Sequence, residues 1–232
     1  MYVPPAFRLD DLPDLHDAMR AAPLATLVTA TDEGLLATPL PLLLAPDEGP
    51  FGTLYGHLAR ANPQGARPAR GDALALFGGP DAYVTPSWYA SKPETGRVVP
   101  TWNYVAVHAH GVPEFFEDEA RLLDAVTRLT ALHEAARPEP WAVADAPPAF
   151  VRGQLKGIVG LRLPIARLEG KRKMSQNRSP ADRAGVAAGL AGSDRPGDRA
   201  VAGMIPAGGG AAPSERTDEP GGSMGLRSGG RG

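Results

Sequence analysis

Apolar residues along the first 205 positions follow two periods, and the switches between them mark out the elements. Leu9, Leu12, Leu15 and Met19 recur at helical spacing behind Asp10 and Asp11, and Pro23 closes this first predicted helix. From Ala25 to Ala45 two apolar runs flank Thr31-Asp32-Glu33-Gly34, which predicts a β-hairpin. Pro39 and Pro41 stand two apart in its second arm, so their missing N–H groups fall on one side. That side must be a sheet edge, a bulge or a place where backbone meets ligand. Strands are expected over Gly52 to Leu58, Asp72 to Phe77 and Ala82 to Tyr89. The run from Trp102 to Phe116 alternates as one long strand. Val105, Val107 and Ala109 lie on one face, and Tyr104, Ala106, His108 and His110 on the other. Glu117 to Arg137 carries the clearest helical stripe: Leu122, Leu123, Val126, Leu129, Leu132 and His133. A shorter helix over Pro147 to Lys156 and a strand over Ile158 to Leu168 follow. Five or six strands with helices at the side predict a mainly β fold (α+β), a small barrel with peripheral helices.

Composition changes that picture at one end. Gly and Pro together supply 53 of 232 residues, well above the usual share of about 12%. The excess is concentrated after Ile205, where 27 residues hold nine Gly and three Pro, with Leu226 the only large aliphatic residue. Such a stretch cannot bury enough apolar surface to offset its ordering entropy. It is expected to be a disordered tail over 206–232, beyond a domain over 1–205 with a C-terminal helical appendage. The balance of 24 basic against 26 acidic residues gives a net charge of −2. That disfavours a protein whose main business is nonspecific nucleic-acid binding. No apolar run is long enough to span a bilayer and no signal-peptide pattern opens the chain, so a cytoplasmic protein with no membrane contact is expected. The absence of Cys excludes disulfides and thiol chemistry.

Three constellations could carry chemistry. Gly56 to Gln64 places His57, Arg60, Asn62 and Gln64 at a strand end closed by Pro63, either a phosphate clamp or a solvated loop that starts a turn. Between Tyr83 and Tyr104, Trp88, Tyr89 and Trp102 interleave with Ser87, Thr101 and Asn103. This suits a flat heteroaromatic ligand, and equally a core or a dimer interface. The basic run Gly170 to Arg178 directly follows a strand, and reads as an anion or nucleic-acid contact or as a charged surface turn. His108 and His110 share a strand face, but no third ligand is evident and no metal site is expected; His133 should be a core-edge residue and His16 a surface one. No nucleophile elbow, P-loop or dinucleotide fingerprint occurs.

The segments MYVPPAFR, HLARANPQ, YVTPSWY, VPTWNYVAVHAHG and KMSQNRS resemble the signature segments of the PaiB family, the FMN-binding negative transcriptional regulators. The resemblance runs from Met1 to about Met204. It implies a split β-barrel related to the pyridoxamine-phosphate oxidases and a homodimer with FMN bound across the interface. It assigns the ribityl phosphate to Thr38 on the hairpin and to His57, Arg60, Asn62 and Gln64. Where relatives place a basic residue on the hairpin this chain has Thr38-Pro39-Leu40-Pro41, so the phosphate charge falls mainly to Arg60, helped by Lys173 or Arg178. Thr101, Trp102 and Asn103 would face the isoalloxazine from the second subunit, with Trp88 and Tyr89 as walls. Lys173, Ser175, Gln176 and Asn177 would close the site. A regulatory role, with possible DNA contact through the basic run, rests on the resemblance. Competing readings are an FMN-dependent oxidoreductase acting on a small substrate, and a flavin-free relative acting through protein contacts.

Overall fold

A computed structural model describes residues 1–208; the expected tail lies almost wholly outside the described residues. After a two-residue strand β1 (Arg8–Leu9), Asp11 caps α1 (Leu12–Ala21) by accepting from the Asp14 amide at 3.1 Å. The helix buries Leu15, His16 and Met19. His16 is therefore a core residue, not a surface one: its Nε2 lies 3.0 Å from the Phe51 carbonyl oxygen, which satisfies the ring inside. β2 (Leu24–Thr31) and β3 (Gly34–Pro41) form the expected hairpin, in register along its whole length. Gly34 takes the positive φ of 117° that the turn needs, and the Thr31 hydroxyl donates to its carbonyl at 2.9 Å.

β4 (Leu43–Ala45), β5 (Thr53–Ala59), β6 (Ala73–Val84), a one-turn α2 (Lys92–Thr95), β7 (Thr101–Gly111) and β8 (Glu114–Phe116) follow. Then come α3 (Glu119–Glu134), α4 (Pro148–Leu155), β9 (Ile158–Pro164), β10 (Arg167–Lys173), α5 (Pro180–Ala191) and α6 (Pro196–Met204). Ten strands build two antiparallel sheets. One runs β1-β10-β7-β6-β2-β3 and the other β4-β5-β9-β8, so the barrel is split. Pro39 and Pro41 lie on β3, an edge strand, which accounts for their missing donors.

Four expected boundaries move. The run from Trp102 to Phe116 is not one long strand but two, β7 and β8, which belong to different sheets because the chain leaves the first at Val112-Pro113. Residues 73–77 and 82–84 belong to a single strand, β6, because β7 pairs with both halves across a bulge between Gly78 and Asp81, whereas Pro86–Trp88, expected as strand, form a 3-10 turn. The expected strand over 158–168 is two strands, since the chain turns at Ile165, which stays 2% exposed and so keeps the apolar pattern running through the turn. The basic run is half strand, not a turn, because Gly170 to Lys173 pair with Val107 to Tyr104.

The main core fills the barrel with Leu27, Leu54, Val107, Ala109, Leu161 and Leu163, all buried. Burial on β7 alternates as its sequence predicts. A second cluster, including Val84, Tyr89, Met174, Val186 and Leu190, seats α5 and α6 against the far end of β6. A third, Phe116, Leu122, Ala125 and Leu155, seats α3 and α4. His133, expected at the core edge, is exposed at the end of α3. Among the described residues no helix is long and apolar enough to cross a membrane.

Candidate functional site

The residues singled out in the sequence fall into two groups on different parts of the barrel. The first sits where β5 ends. Asn62 starts a single 3-10 turn (Pro63–Gly65), its Oδ1 accepting from the Gln64 amide at 2.9 Å. The same side chain donates from Nδ2 to the Thr38 hydroxyl at 3.0 Å, so Thr38 and Asn62 form one polar point between β3 and β5. Gln64 is not part of it. It is 1% exposed, and its Nε2 faces the Leu27 carbonyl and the Thr29 hydroxyl, each at 3.1 Å, and the Leu36 carbonyl at 3.3 Å. Gln64 is a bolt through the hairpin, unavailable to a ligand.

Arg60 is tied in three directions. Its Nε donates to the Lys156 carbonyl at 2.6 Å, one Nη to the Ile158 carbonyl at 3.2 Å, and the other Nη pairs with Glu117 at 2.7 Å. A guanidinium has five donors, so two N–H bonds remain for a phosphate. His57, two residues before Ala59, points to the helical side, where it lines a cavity of about 260 Å³ with Val126, Trp141, Phe150 and Gln154. Burial holds the His57 imidazole below its ordinary range, so it is neutral near pH 7. A depressed histidine stabilises the fold above about pH 6.5, and that contribution is lost as pH falls through the folded-state value, because the unfolded chain protonates first. His57→Gln is therefore expected to flatten the fall of melting temperature between pH 7 and 5; an unchanged slope would show that other groups set it.

The second group gathers where β7 begins and β10 ends. Asn103, fully buried, and Ser175, 3% exposed, are bonded reciprocally: Asn103 Nδ2 donates to Ser175 Oγ at 3.0 Å, and that hydroxyl donates back to Oδ1 at 3.3 Å. Ser175 has φ of 59°, the one non-glycine residue with positive φ among the described residues. That conformation costs about 1–2 kcal/mol for a residue with a Cβ, and a strained, buried, hydrogen-bonded serine points to a fixed side-chain position. Ser175→Ala should lose roughly 1–3 kcal/mol by orphaning Asn103, whereas Ser175→Gly should lose about 1 kcal/mol less because the strain is relieved. Equal denaturation midpoints for the two would remove the strain argument.

Lys173 Nζ donates to the Thr101 hydroxyl and, at 2.7 Å, to the Trp102 carbonyl. Burial, then the neighbouring Lys171 and Arg178 charges, lower its pKa from the usual lysine range. Gln176 accepts from the Met174 amide at 2.6 Å and donates to the Arg172 carbonyl, which fixes the turn, and Asn177 is exposed beside it. Trp102 is 43% exposed, its indole N–H held by Asp81 at 2.8 Å, and it meets Tyr83 edge to face at 5.9 Å. Trp88 instead packs on α5 over Gly185 and Gly189, where a Cβ would collide with its backbone and ring. Tyr89 is core, 2% exposed, with the Arg178 guanidinium 4.9 Å over its ring. The exposed aromatic wall is therefore Trp102 with Tyr83.

Two supporting residues escaped the sequence reading. Asp81 orients Trp102. Asp182, buried at the start of α5, accepts from Ser91 N at 2.9 Å and Ser91 Oγ at 3.0 Å and so fixes the loop after Trp88. A signal for Asp182 existed in Ser179-Pro180-Ala181-Asp182, a cap residue with an acid three positions on. The basic run is not a free cationic face: Lys171 is 9% exposed and donates to the Tyr2 carbonyl, and Arg172 leans on Asp14 at 3.7 Å.

The two groups are far apart within one chain. Thr38 lies level with Leu27, Ala75 and Ala109 across adjacent strands. Thr101 is at the other end of β7 from Ala109, roughly 25 Å away at the strand rise of about 3.3 Å per residue. A small-molecule pocket of roughly 300–1,000 Å³ is only about 7–10 Å across.

Comparison with known proteins agrees with this architecture. Residues 1–167 match the family described as "Putative FMN-binding domain". The chain is 30% identical over 206 residues to the Protease synthase and sporulation protein PAI 2 of Bacillus subtilis, covering 88% of this chain and 96% of that one. It is 34% identical over 236 residues to an uncharacterized protein of Aspergillus fumigatus, covering 82% and 90%. Among solved structures, a flavocytochrome of Azotobacter vinelandii superposes with a TM-score of 0.52 at 16% identity, covering 72% of this chain and 69% of that one. An FAD- and heme-binding protein of Mycobacterium smegmatis gives 0.52 at 16% identity, covering 72% and 73%. With the family matched over most of the chain and the split barrel shared with flavoproteins, this chain belongs to the FMN-binding split-barrel family that includes the Bacillus PAI 2 protein.

Proposed function

We propose that the chain is an FMN-binding negative regulator of transcription of the PaiB type, working as a homodimer with each flavin held between two copies. The observation that carries this reading is the separation of the two groups: one offers phosphate donors, the other an aromatic wall with amide and ammonium donors, and neither alone suits a whole nucleotide. The donor set fits the group. Arg60 keeps two N–H bonds beside the Thr38–Asn62 pair, and Trp102 offers an exposed ring face next to Lys173. A sheet face for pairing is present as well. Val28, Leu74, Leu76 and Ala106 point away from the barrel core and are only half-buried in a single chain, as suits a face that a second copy covers.

Bound FMN would supply a redox-active ring, and the chain's residues would hold its two ends. The regulatory half of the reading is supported by the Bacillus subtilis relative, whose name includes sporulation. Since Lys171 and Arg172 of the basic run are held by the Tyr2 carbonyl and Asp14, the run offers no continuous cationic face for DNA. The test is direct. Purified chain titrated with FMN should bind one flavin per protomer and elute at the mass of a dimer; absence of flavin binding overturns the cofactor assignment. A promoter-specific mobility shift exceeding that of competitor DNA would bear out regulation by DNA binding, and rapid bleaching by NAD(P)H with reoxidation in air would favour the oxidoreductase instead.

A further inference from the structure

The outer face of the six-stranded sheet, on which the proposed dimer pairs through Val28, Leu74, Leu76 and Ala106, also carries a polar cluster that takes no part in holding the flavin. His108 and His110 stand two apart on β7 and so project from the same face, and Glu169 on β10 is the cross-strand partner of His108. Their ligand atoms all lie within 4.8 Å of one another, and all three side chains are half-buried. The ring centroids of the two histidines are 6.3 Å apart. On the other flank Leu74 and Leu76 of β6 pair with His110 and His108, an apolar wall beside the polar atoms.

We propose that His108, His110 and Glu169 bind a divalent transition-metal ion of the zinc class, with two imidazole nitrogens and one carboxylate as ligands and the remaining position open. Two imidazoles and a carboxylate suit zinc and its neighbours better than calcium or magnesium. Ligands of a tetrahedral ion at about 2.0–2.1 Å stand roughly 3.4 Å apart, and His110 Nε2 already lies 3.2 Å from Glu169 Oε2. Only His108 has to swing inward, and among the described residues its ring makes no hydrogen bond to hold it back.

Two cations compete for that carboxylate. The Met1 ammonium sits 2.8 Å from Oε2 and Arg167 2.9 Å from Oε1. A bound metal must displace the ammonium from Oε2, so removing either competitor should tighten binding. This gives the site a signature that scattered surface histidines lack.

The experiment uses the 232-residue chain with a free Met1 ammonium, stripped with chelator and titrated with Zn²⁺ by calorimetry, with or without FMN. One Zn²⁺ per chain is expected. His108→Gln and His110→Gln should each weaken it by roughly 100-fold, more than the 10–100-fold seen for residues behind the ligands. Arg167→Ala should strengthen it several-fold, and His133→Gln should leave it unchanged. If a variant fails to fold, histidine ring ¹⁵N spectra of the unaltered chain decide: Zn²⁺ must shift the His108 and His110 signals together. No binding, binding unaltered in both glutamine variants, or ring signals that do not move would each overturn the assignment. Flavin binding is read separately, so its failure would not be mistaken for failure of the metal site.

Discussion

Mixing Arg60→Ala protomers with Trp102→Ala protomers is expected to restore FMN to about a quarter of the sites, although neither homodimer binds at the same flavin concentration. The number follows from symmetry. Random exchange makes half of the dimers mixed, and each mixed dimer has one site with both lesions and one with neither. Arg60→Ala alone removes one or more charge-assisted hydrogen bonds, worth roughly 1.5–3 kcal/mol each, or about 10–150-fold in affinity. It also cuts the ties to Lys156, Ile158 and Glu117, so its melting temperature must be read alongside. Trp102→Ala removes a 43% exposed ring and should leave the fold nearly untouched. Fluorescence quenching of FMN on mixing reads the result. If mixing restores nothing while both variants remain dimeric, the two groups do not serve one shared site.

The largest loss of stability from a single methyl group is expected at Gly111. A Cβ there would overlap the Pro164 carbonyl oxygen, with the Pro164 carbon at 3.2 Å and the Leu163 side chain at 3.4 Å. Gly111 and Pro164 are the last residues of β7 and β9, strands of the two different sheets of the split barrel. The obstacle is backbone in a paired strand, which a rotamer change cannot clear. Gly111→Ala should cost roughly 3 kcal/mol, the upper end for overpacking, and lower the melting temperature by about 6–12 °C for a domain of this size. Gly203→Ala is the control. Nothing lies within 4 Å of its Cβ on α6, so helix propensity should make it neutral or stabilising by up to about 1 kcal/mol. A mild effect at Gly111 would mean that the sheets can part there freely.

The hairpin, the long strand β7, α1, α3 and α4 were legible because each has one apolar face of the right period. What the sequence hid was continuity and direction. Gly78-Gly79-Pro80 looks like a loop, yet it is a bulge, because only the pairing with β7 shows that the strand resumes. Ile165 hides a turn by being buried within it. The chemistry was legible in kind but not in placement. Thr38, Asn62, Asn103, Ser175 and Lys173 do form polar points, whereas Gln64 and Tyr89 are consumed by the core and Trp88 by α5. A polar side chain next to a motif looks the same in sequence whether it faces a ligand or a backbone carbonyl. Glu169 was invisible as a neighbour of His108, since 61 residues of chain separate them and only strand order brings them together.

The two ends of the larger sheet constrain how this protein can meet copies of itself. At one end β3 offers Pro39 and Pro41, which lack the donors an incoming strand would need; at the other β1 is just two residues long. Neither border can template strand addition, so open-ended stacking into fibres is blocked at both sides. Association through these two borders is thereby disfavoured, which leaves the broad faces of this sheet as the surfaces another copy could meet.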